Sequence, residues 1–347
     1  VLDLRRYVTD RAVNGLLLLM LVVLAATGVA GLFANDAQHR LVFEAHRVGA
    51  AAFLVLLLPK CGIVARALRR KVPGGTPRVY AGLLVSVLLL LLTVAVVAAA
   101  LGWALARGPW DGLWGLPLIV VHWYLALALL PVAAAHVAMR WRRAGRLPRL
   151  ADFRGRRRLL ALAAAAALAL TSRAALASGA AGTEQRTGRR RFTGLREADY
   201  GTPNGFFVTS FLNDNPAPLD LATWRLRIAG NVARPLTLAH ADLRVDAALV
   251  ATVDCTGGVY ATREWAGLAL GPLLDAAGVA GDARLAWFIS TTGHRWLLPI
   301  GEARRALLAT HVGGEPLAHE HGFPLRLVAP ERRGFQWIKW LATIEIV

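Results

Sequence analysis

Long apolar runs dominate the first half of the chain, near residues 12–34, 43–65, 79–104, 114–139 and 159–180. Each is long enough to cross the hydrocarbon of a bilayer, which takes about 20 residues of helix. Beyond residue 180 the pattern changes. A basic, glycine-containing stretch leads to about residue 198, and short alternating or apolar runs follow. Trp224–Ile228, Leu285–Ile289, Arg295–Ile300 and Ile338–Ile346 read as strands. Trp265–Ala277 and Glu302–Thr310 read as helices, from their periodicity and flanking glycines. No internal repeat is evident. The pattern predicts a multi-domain chain, an all-α transmembrane helical bundle followed by an α+β domain with a strand majority. Its boundaries fall at 1–140 for a four-helix membrane domain and 141–198 for a basic loop, the fifth helix and a linker. The second domain takes 199–347.

Composition supports the membrane reading. Of 347 residues, 56% are hydrophobic and 18% charged, too apolar for an ordinary soluble domain. The formal net charge of +18 is uneven, with 22 basic and 6 acidic side chains in residues 1–180 against 18 and 16 afterwards. That excess lies between apolar runs rather than on one folded surface, which excludes a nucleic-acid-binding protein. Seventeen basic residues precede the first run or lie between runs two and three or four and five, against Arg40, Arg47 and Arg107 in the other two connections. By the positive-inside rule the N-terminus is cytoplasmic and everything after residue 180 lies outside, in the periplasm or beyond the cell. The fifth run has two readings. Gly155-Arg156-Arg157-Arg158-Leu159-Leu160, with Ala175-Leu176-Ala177 as a cleavage site, resembles a twin-arginine export signal without the usual Ser or Thr before the arginine pair. It also reads as a basic anchor before a helix.

Histidine is costly in a bilayer and marks function there. His46 and His122 lie at similar depth near the outer ends of the second and fourth helices, and His136 lies near the inner end of the fourth. The 14 residues from His122 to His136 span about 21 Å of helix and return to nearly the same face. Two histidines at matching depth can clamp an iron porphyrin by both axial positions. His39 lies too far into the outer loop to compete. Lys60 and Cys61 fall near the inner end of the second helix, where Lys60 can snorkel or line a quinone pocket.

The four-helix pattern with His-x13-His resembles the membrane cytochrome b subunits of formate dehydrogenases and hydrogenases, over residues 1–140. That resemblance implies an outer haem b at His46 and His122. An inner haem at His136 would need a second ligand at the start of the first helix, where this chain has Asn14 and no His before His39. One haem is therefore expected, with His136 unassigned.

The second half carries one thiol, in Asp254-Cys255-Thr256-Gly257-Gly258 after the alternating stretch Ala248–Val253. A Cys at a strand end before a Gly-Gly turn leaves room for close approach. No zinc spacing surrounds it, and a lone thiolate suits a metal whose other ligands come from a cofactor. Trp224…Gly230-x4-Pro235, Asp254-Cys255-x-Gly257, Trp265-x-Gly267, His321-Gly-Phe-Pro-Leu-Arg326 and Gly334-x4-Lys339-Trp340 resemble the molybdopterin-binding domain of the sulfite oxidase family, from about residue 200 to the C-terminus. The resemblance implies an α+β sulfite-oxidase-like fold with molybdenum on Cys255. It further implies that His321 and Arg326 contact the pterin, and that Trp337, Ile338 and Lys339 hold the cofactor phosphate. Thr202-Pro-Asn204-Gly-Phe-Phe207-Val208 resembles the periplasmic methionine sulfoxide reductase branch, which carries cofactor contacts to Asn204, Phe207 and Val208. A downstream threonine of that branch matches Thr291, with Thr292 as the alternative. Sulfite oxidases have arginine in the segment after the Cys and at the position of Gln336, and both absences weaken a sulfite substrate. Arg263, Arg332 and Arg333 remain as sources of charge, although surface salt bridging is the commoner fate of such residues. His294 or Tyr260 could serve as a nearby proton donor, although packing is the commoner role for either.

Joined, the halves predict a membrane-bound molybdenum–molybdopterin oxidoreductase. It would exchange electrons between the quinone pool and a small substrate outside the cytoplasmic membrane through haem b, with oxygen-atom transfer of sulfoxide-reductase type favoured. The alternatives are a sulfite-type dehydrogenase and a non-catalytic electron-transfer protein with a degenerate pterin domain.

Overall fold

The computed structural model describes residues 10–34, 39–71, 76–105, 112–113, 116–144, 190–208 and 214–347. The fifth apolar run, its arginine motif and its cleavage-like site lie outside the described residues. The chain divides into two compact units, one helical and one built on sheets.

The helical unit contains α1 (Asp10–Phe33), α2 (Arg40–Lys71), α3 (Pro77–Leu105) and α4 (Leu118–Ala144). A two-residue ladder, β1 (Gly112–Leu113) with β2 (Leu116–Pro117), precedes α4. All four helices are long and apolar enough to cross a membrane, over Ala12–Phe33, Arg40–Arg66, Pro77–Leu105 and Leu118–Met139. They meet four of the five runs. Large apolar side chains point outward, Leu58 at 68% and Leu84 at 70% exposure, the reverse of a soluble bundle. α1 packs against α2 around Gly28 and Gly49, where a Cβ would make ordinary contacts of 3.6 Å with the His46 ring and 3.4 Å with Leu24.

In the sheet unit the first strands are β3 (Arg196–Glu197), β4 (Arg225–Gly230), β5 (Leu236–Ala239), β6 (Ala247–Asp254) and β7 (Val259–Ala269). After helix α5 (Leu270–Ala277) come β8 (Leu285–Ser290), β9 (Arg295–Pro299), the short helix α6 (Ile300–Ala303) and β10 (Leu307–Val312). β11 (Glu315–Pro316), β12 (Arg326–Val328) and β13 (Leu341–Ile346) complete the unit. In one sheet β7 pairs antiparallel with β6 and β10 and parallel with β3, while β10 also pairs with β11 and β12. The other sheet runs β5-β4-β13-β8-β9, with β13 parallel to β4. Trp265, Trp337, Phe288, Leu226 and Ile228 are all but fully buried in the core. Residues 190–198, read from sequence as linker, belong to this unit through β3.

Two predicted helices are corrected. Trp265–Ala269 continue β7, and the helix begins only at Leu270. Gly267 lies so close to β10 that a Cβ there would meet Leu308 O at 2.0 Å. Pairing to strands on both sides outweighs the local helical period. Glu302–Thr310 likewise splits into the end of α6, a turn and the start of β10. Its run of buried apolar residues suits a two-faced central strand as well as a helix, and periodicity alone cannot choose. The last predicted strand starts later, at Leu341, because Trp340 has a left-handed backbone (φ 48°).

Candidate functional site

In the helical unit, His46 on α2 and His122 on α4 face each other, their ring centroids 6.3 Å apart and their planes at 87°. Hydrogen bonding sets both tautomers. The Thr27 hydroxyl donates to Val23 O at 2.7 Å, so at 2.9 Å it accepts from His46 Nδ1. His122 Nδ1 donates to Val96 O at 3.0 Å. Each ring then carries its lone pair on Nε2, the arrangement expected of a metal-ligating histidine held by its other nitrogen. His46 and His122 are therefore the residues of this unit that would hold a haem iron. At the other end of α4, Ser86 donates to Gly82 O at 2.6 Å and meets His136 Nδ1 at 3.3 Å.

In the sheet unit the predicted residues converge where strand ends of the two sheets meet. Cys255 follows β6 and enters a tight turn, with Cys255 N donating to Val259 O at 2.8 Å and Gly258 N to Cys255 O at 3.1 Å. Gly257 N donates to Cys255 Sγ at 3.2 Å, a bond that favours the thiolate. Gly258 takes φ 109°, a conformation glycine adopts without steric cost. Among the described residues no group of three or more His, Cys, Asp or Glu side chains is placed to hold a metal ion.

The closing block gathers the candidate cofactor-binding residues. His321 is buried, stacks on Phe206 with centroids 3.8 Å apart, and donates from Nε2 to Asn204 O at 3.0 Å. Burial, then the nearby Arg326 charge, lowers its pKa to about 4, so the ring is neutral and presents Nδ1 as an acceptor. Arg326 is buried between the Trp265 and Trp337 rings, 5.3 and 5.8 Å from their centroids, and its Nη1 donates to His321 O at 3.0 Å. Its Nε has no hydrogen-bond partner among the described residues, nor has Nε2 of the fully buried Gln336. Buried donors left unmet are costly, and a bound anion would relieve them. Lys339 Nζ donates to Glu320 O at 2.7 Å. Burial, then Arg326, lowers its pKa to about 7, against the opposing influence of Asp214, Cys255 and Glu320. Gly322 (φ 107°) joins the two arms, since a Cβ there would lie 3.0 Å from Lys339 Cα. This buried fork, point charge and neutral acceptor fit a phosphate-bearing pterin.

The remaining predicted residues are placed as follows. Thr291 N donates to Trp340 O at 2.9 Å, beside Lys339. Thr292 Oγ1 donates to Asp214 at 2.9 Å. The Asn204 side chain is occupied within the protein, donating to Pro316 O at 3.0 Å and accepting from Ala318 N at 2.8 Å, so it braces the segment that carries His321. Phe207 is buried, Val208 is exposed, Trp337 donates to Arg332 O at 3.1 Å, and Ile338 O accepts from Leu327 N. His294 donates to Phe335 O at 3.0 Å, and Tyr260 lies under Arg191. Arg332 makes the expected surface pair, with Glu302, while Arg263 is held by Asp199. Arg333 departs from that expectation. It is 3% exposed and ion-paired with the fully buried Asp254, which also pairs with Arg191. Burial pushes the Asp254 carboxyl up, and Arg333 and Arg191 act against that shift. Sequence reasoning missed this cluster because its three residues are scattered along the chain. Only the position of Asp254 beside Cys255 signals it.

Comparison with known proteins identifies the family of the sheet unit. Residues 214–347 match the oxidoreductase molybdopterin-binding domain family. The chain is 32% identical over 152 residues to the uncharacterized oxidoreductase YuiH of Bacillus subtilis, covering 41% of this chain and 77% of that one. It is 29% identical over 189 residues to human mitochondrial sulfite oxidase, covering 44% and 34%. It is 28% identical over 149 residues to the protein-methionine-sulfoxide reductase catalytic subunit MsrP of Xanthomonas axonopodis pv. citri, covering 37% and 46%. The chain thus spans about a third of the length of the sulfite oxidase. With its thiol, its buried arginine and its closing block in place, the chain belongs to the molybdopterin-binding oxidoreductases.

Proposed function

We propose that this oxidoreductase sits in the cytoplasmic membrane and passes electrons between the quinone pool and a small substrate outside, through one b-type haem on His46 and His122. The observation that carries the electron-transfer reading is the His46–His122 pair, whose spacing and fixed tautomers suit bis-histidine ligation of iron. Four membrane-length helices and the excess of basic residues on one side of them support the orientation. When bound, the molybdenum–pterin group supplies two-electron oxygen-atom chemistry and the haem supplies one-electron steps. Cys255 would hold the metal, Arg326 and Lys339 would hold the anionic part of the pterin, and neutral His321 would accept a hydrogen bond from it.

A sulfoxide-type reductase is the favoured activity, because the turn after Cys255 has no arginine and Gln336 is neutral. A sulfite-type dehydrogenase is the second reading, favoured by Arg191 and Arg333 beside Asp254. Purified protein assayed with reduced viologen and a panel of sulfoxides tests the choice. Sulfoxide-dependent dye oxidation supports the reductase. Reduction of the haem by sulfite, with no turnover of any sulfoxide, would replace it with the dehydrogenase.

A further inference from the structure

Arg263 lies in the middle of β7 with its side chain 9% exposed, and all five N–H groups of its guanidinium end on protein acceptors. Nη1 and Nη2 grip the Asp199 carboxylate at 2.9 and 2.7 Å. Nη1 also donates to Thr262 O at 3.0 Å, Nη2 to Gly205 O at 2.9 Å and Nε to Pro203 O at 3.3 Å. No donor is left for an anion. Four of the five bonds close on one loop, residues 199–206, which precedes the stretch 214–347 that matches the family. The loop is tied within itself as well. Tyr200 N donates to Gly205 O at 2.7 Å and Gly205 N to Thr202 O at 2.8 Å. A Cβ on Gly205 would meet Thr202 Oγ1 at 2.3 Å. The far end of the loop carries two contacts to His321. Asn204 O accepts from His321 Nε2 at 3.0 Å, and Phe206 stacks on the imidazole at 3.8 Å with planes 11° apart. The Arg263 guanidinium lies 5.3 Å from the Phe206 ring centroid.

We propose that Arg263 is a positioning residue for His321. By clamping residues 199–206 it fixes the Asn204 carbonyl and the Phe206 ring, and so keeps the His321 proton on Nε2 and the acceptor on Nδ1. The functional part of this assignment rests on the reading that His321 accepts a hydrogen bond from the pterin, and it names what sets that acceptor. A neutral imidazole without a fixed partner divides between its two tautomers, and the Nδ1–H form offers a donor where an acceptor is needed. The Asn204 side chain works in the same direction, since it accepts from Ala318 N at 2.8 Å and braces the segment that leads into His321. The role calls for arginine. A planar fork reaches a carboxylate and two carbonyls at once, whereas an ammonium is a point charge that cannot span all three.

The test compares full-length wild type, Arg263→Met and Arg263→Lys in detergent with nitrogen-15-labelled histidine, at a slightly alkaline pH where His321 is neutral. His321→Gln identifies the His321 signals. Wild type should show one His321 tautomer, protonated on Nε2. In Arg263→Met the two ring nitrogens should move toward a common shift as the tautomers exchange, with faster amide exchange over residues 199–206. Arg263→Lys should fall between the two, because it keeps the charge facing Asp199 and loses the fork. A single Nε2–H tautomer in Arg263→Met, or an Arg263→Lys protein indistinguishable from wild type, would overturn the assignment. Should Arg263→Met fail to fold, Arg263→Lys decides alone: mixed tautomers support the assignment and the wild-type tautomer overturns it. The pterin reading fails separately, as wild type that carries no pterin, and the tautomer comparison still decides for Arg263.

Discussion

The two units differ in what most of the polar groups near their candidate sites lean on. In the helical unit, side chains meet side chains across helix pairs: Thr27 with His46, Asn14 with Lys60 at 2.5 Å, Asp10 with Arg66 at 2.8 Å, Ser86 with His136. In the sheet unit, the polar side chains of the closing block turn to main chain: Arg326 to His321 O, Lys339 to Glu320 O, neutral His321 to Asn204 O. A helix satisfies most of its own backbone, so polar side chains on these apolar helices turn largely to one another, with His122 on Val96 O as an exception. Loops at strand ends leave carbonyls free to orient a cation. The helical site is consequently set by spacing along rods, and the sheet site by the folding of a whole domain.

Several substitutions break or sharpen this contrast. The largest effect belongs to the helical pair. His122→Leu should abolish the b-haem spectrum and lower quinol-linked turnover at least about 100-fold, while turnover with a soluble dye persists, since the sheet unit carries its own site. Arg326→Met removes the buried guanidinium and should weaken cofactor retention about 10- to 100-fold, read as pterin released per chain on dilution, with the haem spectrum intact. Lys339 gives a pH signature. Its folded pKa lies near 7, below its value of 10.5 in the open chain. The unfolded chain therefore binds more protons between those values, and stability of cofactor-free protein should rise with pH across that window. Lys339→Met should flatten the rise in a denaturation series from pH 6 to 9. The smallest effect is expected of Arg332→Ala. Its pair with Glu302 is about a third exposed on both sides, and its loss should cost no more than about 1 kcal/mol by urea midpoint.

Legibility followed the same division. Four apolar runs became four helices with His46 and His122 facing each other, because a helix converts sequence spacing directly into position. In the sheet unit Cys255, His321, Arg326 and Lys339 were legible from the family resemblance. Local pattern misassigned Trp265–Ala269 and Leu307–Thr310, strands paired to sequence-distant neighbours that no short window contains. The Arg191–Asp254–Arg333 cluster lay beyond reach for the same reason, joining residues 63 and 79 positions apart. A buried ion pair is set by tertiary closeness, and its members look like surface charges until the fold is known.

The central claim is that one chain carries two independent redox centres, on Cys255 and on His46 with His122. The most direct test measures molybdenum and the reduced-minus-oxidised haem spectrum on the same detergent-purified samples of wild type, Cys255→Ser and His46→Leu. The account predicts about one of each centre per wild-type chain, loss of molybdenum alone in the first variant and loss of haem alone in the second. Haem that persists in His46→Leu, or molybdenum that persists in Cys255→Ser, would contradict it.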